Sequence, residues 1–184
     1  MKKFIISILG KDRPGIIAAV TKVLFENDFN IEDVSQTILQ NQFSGIIITE
    51  GPDDITPKGL RNALDKDTST LNLHFHVREL GDVAVAWTTC DCEPFVITTR
   101  GPDRKGLVAH ITALLADHNI NVTQLQAAFR GGDDPDKNIM IYEVDIPLNV
   151  DRNKLRKALK EKGQALDLQI SIQHKSIFQA INRI

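Results

Sequence analysis

Two turns carry the residues most able to do chemistry. The first reads Gly10-Lys11-Asp12-Arg13-Pro14-Gly15 and the second Gly101-Pro102-Asp103-Arg104-Lys105-Gly106. Each follows an apolar run and opens an apolar stripe of helical spacing. Several backbone N–H groups without partners should therefore gather at one spot. Such a spot favours an anion, either a carboxylate or a phosphate. Asp12 and Asp103 add a carboxylate beside it, which suits a zwitterion: a free amino acid needs donors for its carboxylate and an acceptor for its ammonium. Phosphate sites instead favour Lys or Arg. Gly15 and Gly106 would let a ligand approach the backbone closely, and Gly10 and Gly101 would permit a tight turn. Asn30 and Asn121, in matching positions after the helix, supply amides that both donate and accept. The same residues also admit a purely structural reading, with Asp12 capping the helix, Arg13 solvated and Asn30 ending the helix in a left-handed conformation.

The turns match because the chain repeats itself. Residues 4–37 recur without a gap at residues 95–128, with about ten identical pairs, and such self-similarity fixes the architecture. The run 4–9 is β-branched and aliphatic, as a buried strand should be. Ile16, Val20 and Leu24 then recur every fourth residue, giving an amphipathic helix begun near Pro14 and ended around Asn27-Asp28. Strands are expected over 31–39 and 43–49, joined by the polar tip at 40–42 as an antiparallel hairpin. Thr56 reads as a helix cap with Pro57 at the first helical position, and the helix runs through Leu60 and Leu64. Residues 71–77 alternate apolar and polar, a strand with one wet face.

The second copy repeats the order. A strand over 95–99 precedes a helix through Leu107, Ile111, Leu114 and Leu115. A hairpin of 122–129 and 139–146 spans the acidic loop 131–138. Asp151 caps a helix through Leu155 and Leu159, Leu168, Ile170 and Ile172 form the last strand, and 176–184 is a short helix. A βαββαβ order, twice, predicts an α+β chain of two ferredoxin-like domains, each an antiparallel sheet with both helices on one face. The expected division is 1–80, an ordered linker 81–93, and 94–184. Gly81-Asp82 should turn the chain into a strand at 83–87, with the domains docked.

Composition excludes several classes. Lys and Arg total 22 against 24 Asp and Glu, a net charge of −2, which leaves no electrostatic footprint for non-specific nucleic-acid binding. No apolar run approaches the ~20 residues of a membrane span. The apolar N-terminus is short, ends at Gly10-Lys11-Asp12-Arg13 without a small-residue cleavage site, and matches the internal strand at 95–99. It is read as a strand rather than a leader, and a cytoplasmic location is expected. The two cysteines make no disulfide framework.

Other chemistry is weaker. Cys90 and Cys92 with His74 and His76 could be imagined around zinc, since alternate residues of a strand share a face. The Cys-x-Cys spacing is short for zinc, and it strains a disulfide, so neither a metal nor a cofactor is expected. No nucleophile, base and orienter stand together, and no enzymatic activity is expected. The helix after Asp151 carries Arg152, Lys154, Arg156, Lys157, Lys160 and Lys162. Without recognition-helix geometry or an aromatic platform, it reads as a solvated face rather than a nucleic-acid surface.

The Gly-x-Asp-Arg-x-Gly turn after a first strand, followed at fixed distance by Asn30-Ile31 or Asn121-Val122, resembles the ACT domain. ACT domains are βαββαβ modules that bind amino acids and related small molecules and regulate enzymes or transcription. The resemblance covers nearly the whole chain as two copies and is strongest to the glycine cleavage system transcriptional repressor type, whose members are essentially two ACT domains. Asp12-Arg13-Pro14-Gly15-Ile16 with Asn30-Ile31-Glu32-Asp33 matches that type. The second copy departs from it, with Lys105 for the proline and Asn121-Val122-Thr123-Gln124 without the acidic pair. Family ligands sit where two such domains meet, between this turn and the partner's strand. The resemblance thus implicates Asp12, Gly15, Ile16, Asn30 and Ile31, with Asp103, Gly106, Leu107, Asn121 and Val122 as counterparts; Arg13, Pro14 and Arg104 belong to the same turns. It implies a non-enzymatic regulator that binds a small amino acid, with glycine or serine the first ligands to test, a protein partner such as a transcription factor or enzyme, and a homodimer. The alternatives are a ligand-free interaction module or a regulatory subunit of a metabolic enzyme.

Overall fold

In the computed structural model of this protein, the described residues are 1–81, 91–128 and 138–181. The chain divides into two compact units, Met1–Ala84 and Val85–Ile184. The expected strand at 83–87 lies outside the described residues, as does nearly all of the acidic loop.

The first unit runs β1 (Lys2–Lys11), α1 (Ile16–Glu26), β2 (Asn30–Leu39), β3 (Gln42–Gly51), α2 (Pro57–Asp67), a 3-10 turn (Ser69–Leu71) and β4 (His74–Leu80). Its sheet is antiparallel in the order β2-β3-β1-β4. Alternation along β1 sends Phe4, Ile6 and Ile8 to one face. There they form a single core with Ile16, Val20, Val23 and Leu24 of α1 and Leu60 and Leu64 of α2. One shared core puts both helices on that face. Phe4 and Phe29 meet edge to face, 5.5 Å between centroids.

The second unit repeats the plan: β5 (Cys92–Gly101), α3 (Leu107–Asp117), β6 (Asn121–Ala128), β7 (Asn138–Pro147), α4 (Arg152–Leu166) and β8 (Gln169–His174). The sheet order is β6-β7-β5-β8. A further helix, α5 (Lys175–Ile181), packs beside β5 and β8. Val96, which alternation turns away from α3 and α4, is accordingly buried, and Lys175 Nζ lies 2.6 Å from Glu143. No helix among the described residues is long and apolar enough to cross a membrane.

Local chemistry sets the helix ends. Thr56 Oγ1 accepts from Gly59 N–H at 3.1 Å, and Asp151 Oδ1 accepts from Asn153 and Lys154. Thr56→Ala is expected to lower the stability of the first unit by about 1 kcal/mol, read by denaturant titration; an unchanged midpoint would contradict the cap. Helices α1, α3 and α4 each end on a left-handed residue, Asp28, Asn119 and Asp167. The following N–H in each case reaches back five residues to a carbonyl, the Schellman arrangement. The left-handed stop thus falls on Asp28 and Asn119, not on Asn30 and Asn121, which already begin β2 and β6. The strand expected from residue 71 begins at His74. Leu71 and Leu73 face the core from a 3-10 turn and a left-handed Asn72, because alternation reports facing, not ladder pairing.

Candidate ligand-binding turns

Gly15 and Gly106 occupy the N-cap positions of α1 and α3 in the left-handed region, φ 94° and 89°, and neither helix has a side-chain cap. Asp12 and Asp103 therefore do not cap these helices, and the first-turn N–H groups stay available as donors. A Cβ at Gly15 would meet nothing within 4 Å, so glycine is there for its backbone angle, and the space over the turn is open. Pro14 precedes this cap rather than entering the helix. Gly10 and Gly101 do not make the tight turn expected of them: both lie in the last two residues of a strand without a positive φ, and glycine is needed there for space. A Cβ at Gly10 would strike Leu73, and one at Gly101 would strike Asp167 and Leu168.

The first turn is pinned to the β2–β3 hairpin by Asp12 N–H donating to Asn41 O at 2.8 Å. The half-buried Asp12 carboxylate has no hydrogen-bond or ion-pair partner among the described residues. Arg13 Nη1 donates to Thr70 O and Arg104 Nη2 to Asp167 Oδ2, both at 3.4 Å. The arginines thus reach toward the connections that precede β4 and β8. Ile16 and Leu107 are buried in the two cores, leaving only their backbone for a ligand.

Asn30 and Asn121 do not join the turns within one unit. Asn30 pairs with Glu50, which pairs with Lys3 at the start of β1, whereas Asp12 follows its end. Asn121 likewise pairs with Asp145, opposite Pro94 near the start of β5. Roughly eight residues of strand, ~26 Å, separate the two ends. Ile31 and Val122 are half-buried beside them, each followed by a register shift in the strand. The acidic pair of the first copy is locally engaged. Glu32 binds Lys3 at 2.8 Å, whose ammonium is pushed above the ordinary 10.5 by this hydrogen bond and by the charge of Glu32, and Asp33 accepts from Val34 N–H.

Sequence reasoning missed Asn138, assigning it to the end of a loop. It is the first residue of β7, 4% exposed, and its Nδ2 donates to Asp103 Oδ1 at 3.2 Å. Strand β5 pairs Gly101 with Asn138 as β1 pairs Gly10 with Phe43. Comparing the two hairpins position by position would have revealed the exchange.

A groove lined by Arg100, Gly101, Pro102, Gln164 and Asp167 runs beside the second turn. Among the described residues no group of three or more His, Cys, Asp or Glu is placed to hold a metal. Cys92 is disulfide-bonded, contrary to the expectation from spacing; Cys90 lies outside the described residues. On α4, Lys154, Arg156, Lys157 and Lys160 are exposed, while Arg152 binds Glu93 at 2.7 Å and lies over the Phe95 ring.

Residues 2–78 and 95–166 each match the ACT domain. A UPF0237 protein of Methanopyrus kandleri is 37% identical over 67 residues, 36% of this chain and 74% of that protein. One from Methanocaldococcus jannaschii is 46% identical over 50 residues, 27% of this chain, and the chain spans only 56% of its length. Among solved structures, a protein of unknown function from Galdieria sulphuraria superposes with a TM-score of 0.76 at 20% identity, covering 94% of this chain and 98% of that one. A candidate glycine cleavage system transcriptional repressor gives 0.70 at 19% identity, covering 94% and 96%. Identities this low show a common fold.

Proposed function

The chain belongs to the ACT-domain family, as two copies in tandem, and from that premise we propose that it is a non-enzymatic regulator that binds a small amino acid at its two Gly-x-Asp-Arg-x-Gly turns. The observation that carries this reading is the uncapped helix start behind a left-handed glycine, found twice and each time three residues after an aspartate. The free N–H groups suit a carboxylate and the aspartate suits an ammonium, the two ends of one zwitterion. Glycine and serine are the first ligands to try.

Because Asn30 and Asn121 lie at the far ends of their sheets, a site that uses them draws on a second ACT domain, and a homodimer is one arrangement that supplies it. A ligand shared between copies acts by favouring one arrangement over another. A coupling of about 1–3 kcal/mol suffices to change affinity for a partner several-fold or more. The partner in this reading is a cytoplasmic protein, a transcription factor or an enzyme of amino-acid metabolism, with regulation of transcription through it rather than through direct contact with nucleic acid.

Calorimetric titration with glycine and serine tests the reading. Saturable binding is expected, weakened by about 2 kcal/mol, roughly thirty-fold, when Asp12 and Asp103 are both replaced by alanine. No heat of binding at millimolar ligand would overturn it.

A further inference from the structure

The two turns rest on different floors. Thr99 and Asn138 lie on the helix-side face of the second sheet, two pairs apart in register: Thr99 opposite Met140, Gly101 opposite Asn138. At the matched places in the first unit stand Ile8, opposite Gly45, and Phe43, opposite Gly10. Thr99 and Asn138 are both buried, and among the described residues Thr99 Oγ1 and Asn138 Oδ1 have no hydrogen-bond partner. Buried polar atoms are nearly always satisfied, so two orphans under one turn need an explanation. The first unit avoids the cost by placing hydrocarbon there.

The Asn138 carboxamide is oriented by its neighbour. Its Nδ2 gives a hydrogen to the Asp103 carboxylate, and the reverse orientation would set two acceptors against each other. Oδ1, on the same planar group, is thereby held at the turn as an acceptor without a donor. Asp103 is exposed, so a rotation of its side chain opens a path to that oxygen.

We propose that the second turn is the tighter amino-acid site, in which the ligand's ammonium lies between the Asp103 carboxylate and Asn138 Oδ1 while its carboxylate meets the uncapped N–H groups of α3. This inference rests on the amino-acid reading above and deepens it. Asn138 has two roles: it positions the Asp103 carboxylate, and it supplies an acceptor that the Phe43 side chain in the first unit cannot. Neutral or purely anionic ligands leave Oδ1 unsatisfied, so the site selects for a protonated amine.

Glycine is titrated into the wild-type protein and into Asn138→Leu, with folding of the variant checked by thermal melting. The tightest binding event is expected to weaken at least ten-fold in the variant. Glycolate, which has the carboxylate but no ammonium, is expected not to compete with glycine. In the wild-type protein the Asn138 side-chain amide resonances should shift and saturate with the tight event, a readout that remains if Asn138→Leu does not fold. If glycine binds the wild-type protein and neither the variant nor the amide resonances respond, this inference falls and the broader reading stands. If neither glycine nor serine binds the wild-type protein, both fall.

Discussion

Truncating Tyr142 to alanine is expected to destabilise the second unit by about 3–5 kcal/mol, the range for loss of a large buried aromatic. Tyr142 lies in β7 between Ile97 of β5 and Leu125 of β6, with none of its surface exposed. Among the described residues its hydroxyl donates to Met140 Sδ, at 3.4 Å, a weak acceptor. Tyr142→Phe keeps the ring and should change stability little, so denaturant midpoints of the two variants separate packing from the hydroxyl. Equal losses in both would show that the hydroxyl, not the ring, matters.

The same side chain makes the second unit sensitive to alkali. Burial pushes the phenol from its ordinary 10.0 up to about 12. Between those values the folded chain keeps the proton and the unfolded chain releases it. The contribution is therefore fully present below pH 10 and is lost as pH rises toward about 12, amounting to about 2–3 kcal/mol. The chain has one tyrosine, so tyrosinate absorbance reports this group alone. Titration near pH 10 in the folded protein would refute the buried state, and Tyr142→Phe should remove this part of the alkaline loss.

Alanine at Gly101 should cost about 1–3 kcal/mol, and alanine at the matched Gly10 should cost less. A Cβ on Gly101 would lie 2.7 Å from the Asp167 carbonyl oxygen and 2.8 Å from Leu168 Cδ2. Asp167 is the left-handed residue closing α4, so its carbonyl cannot withdraw without undoing the helix end. At Gly10 the nearest atom is Leu73 Cδ2 at 2.6 Å, the tip of a flexible side chain, with backbone no nearer than 3.5 Å. Thermal melting of the two single variants compares them. Equal shifts would mean that the α4 terminus yields as easily as a leucine rotamer.

These two positions show how far the sequence could be read. The sequence suggests freedom for a tight turn at Gly10 and Gly101, yet neither has a positive φ; what they need is space, and the residues that close on them are more than sixty positions away in the chain for both. Capping by Thr56 and Asp151 was fully legible, because donor and acceptor lie within three residues of each other. Strand β4 was placed too early because Leu71 and Leu73 keep the apolar alternation while the backbone has not yet joined the ladder. The matched asparagines were legible as a repeat but not as a location, since only strand register puts Asn30 beside Glu50 and away from Asp12.

The sequence by itself determined the duplication, the βαββαβ order of each copy, the apolar faces and the two turns at which helices start. Those follow from spacing and from near-neighbour chemistry, which act along the chain. Only the tertiary structure decided that the second turn stands on Asn138 and Thr99 where the first stands on Phe43 and Ile8. It likewise decided that Arg13 and Arg104 reach the connections before β4 and β8, and that α5 packs beside β5 and β8. Each of these depends on which residues face one another across a sheet, and facing is fixed by register and by the packing of distant segments.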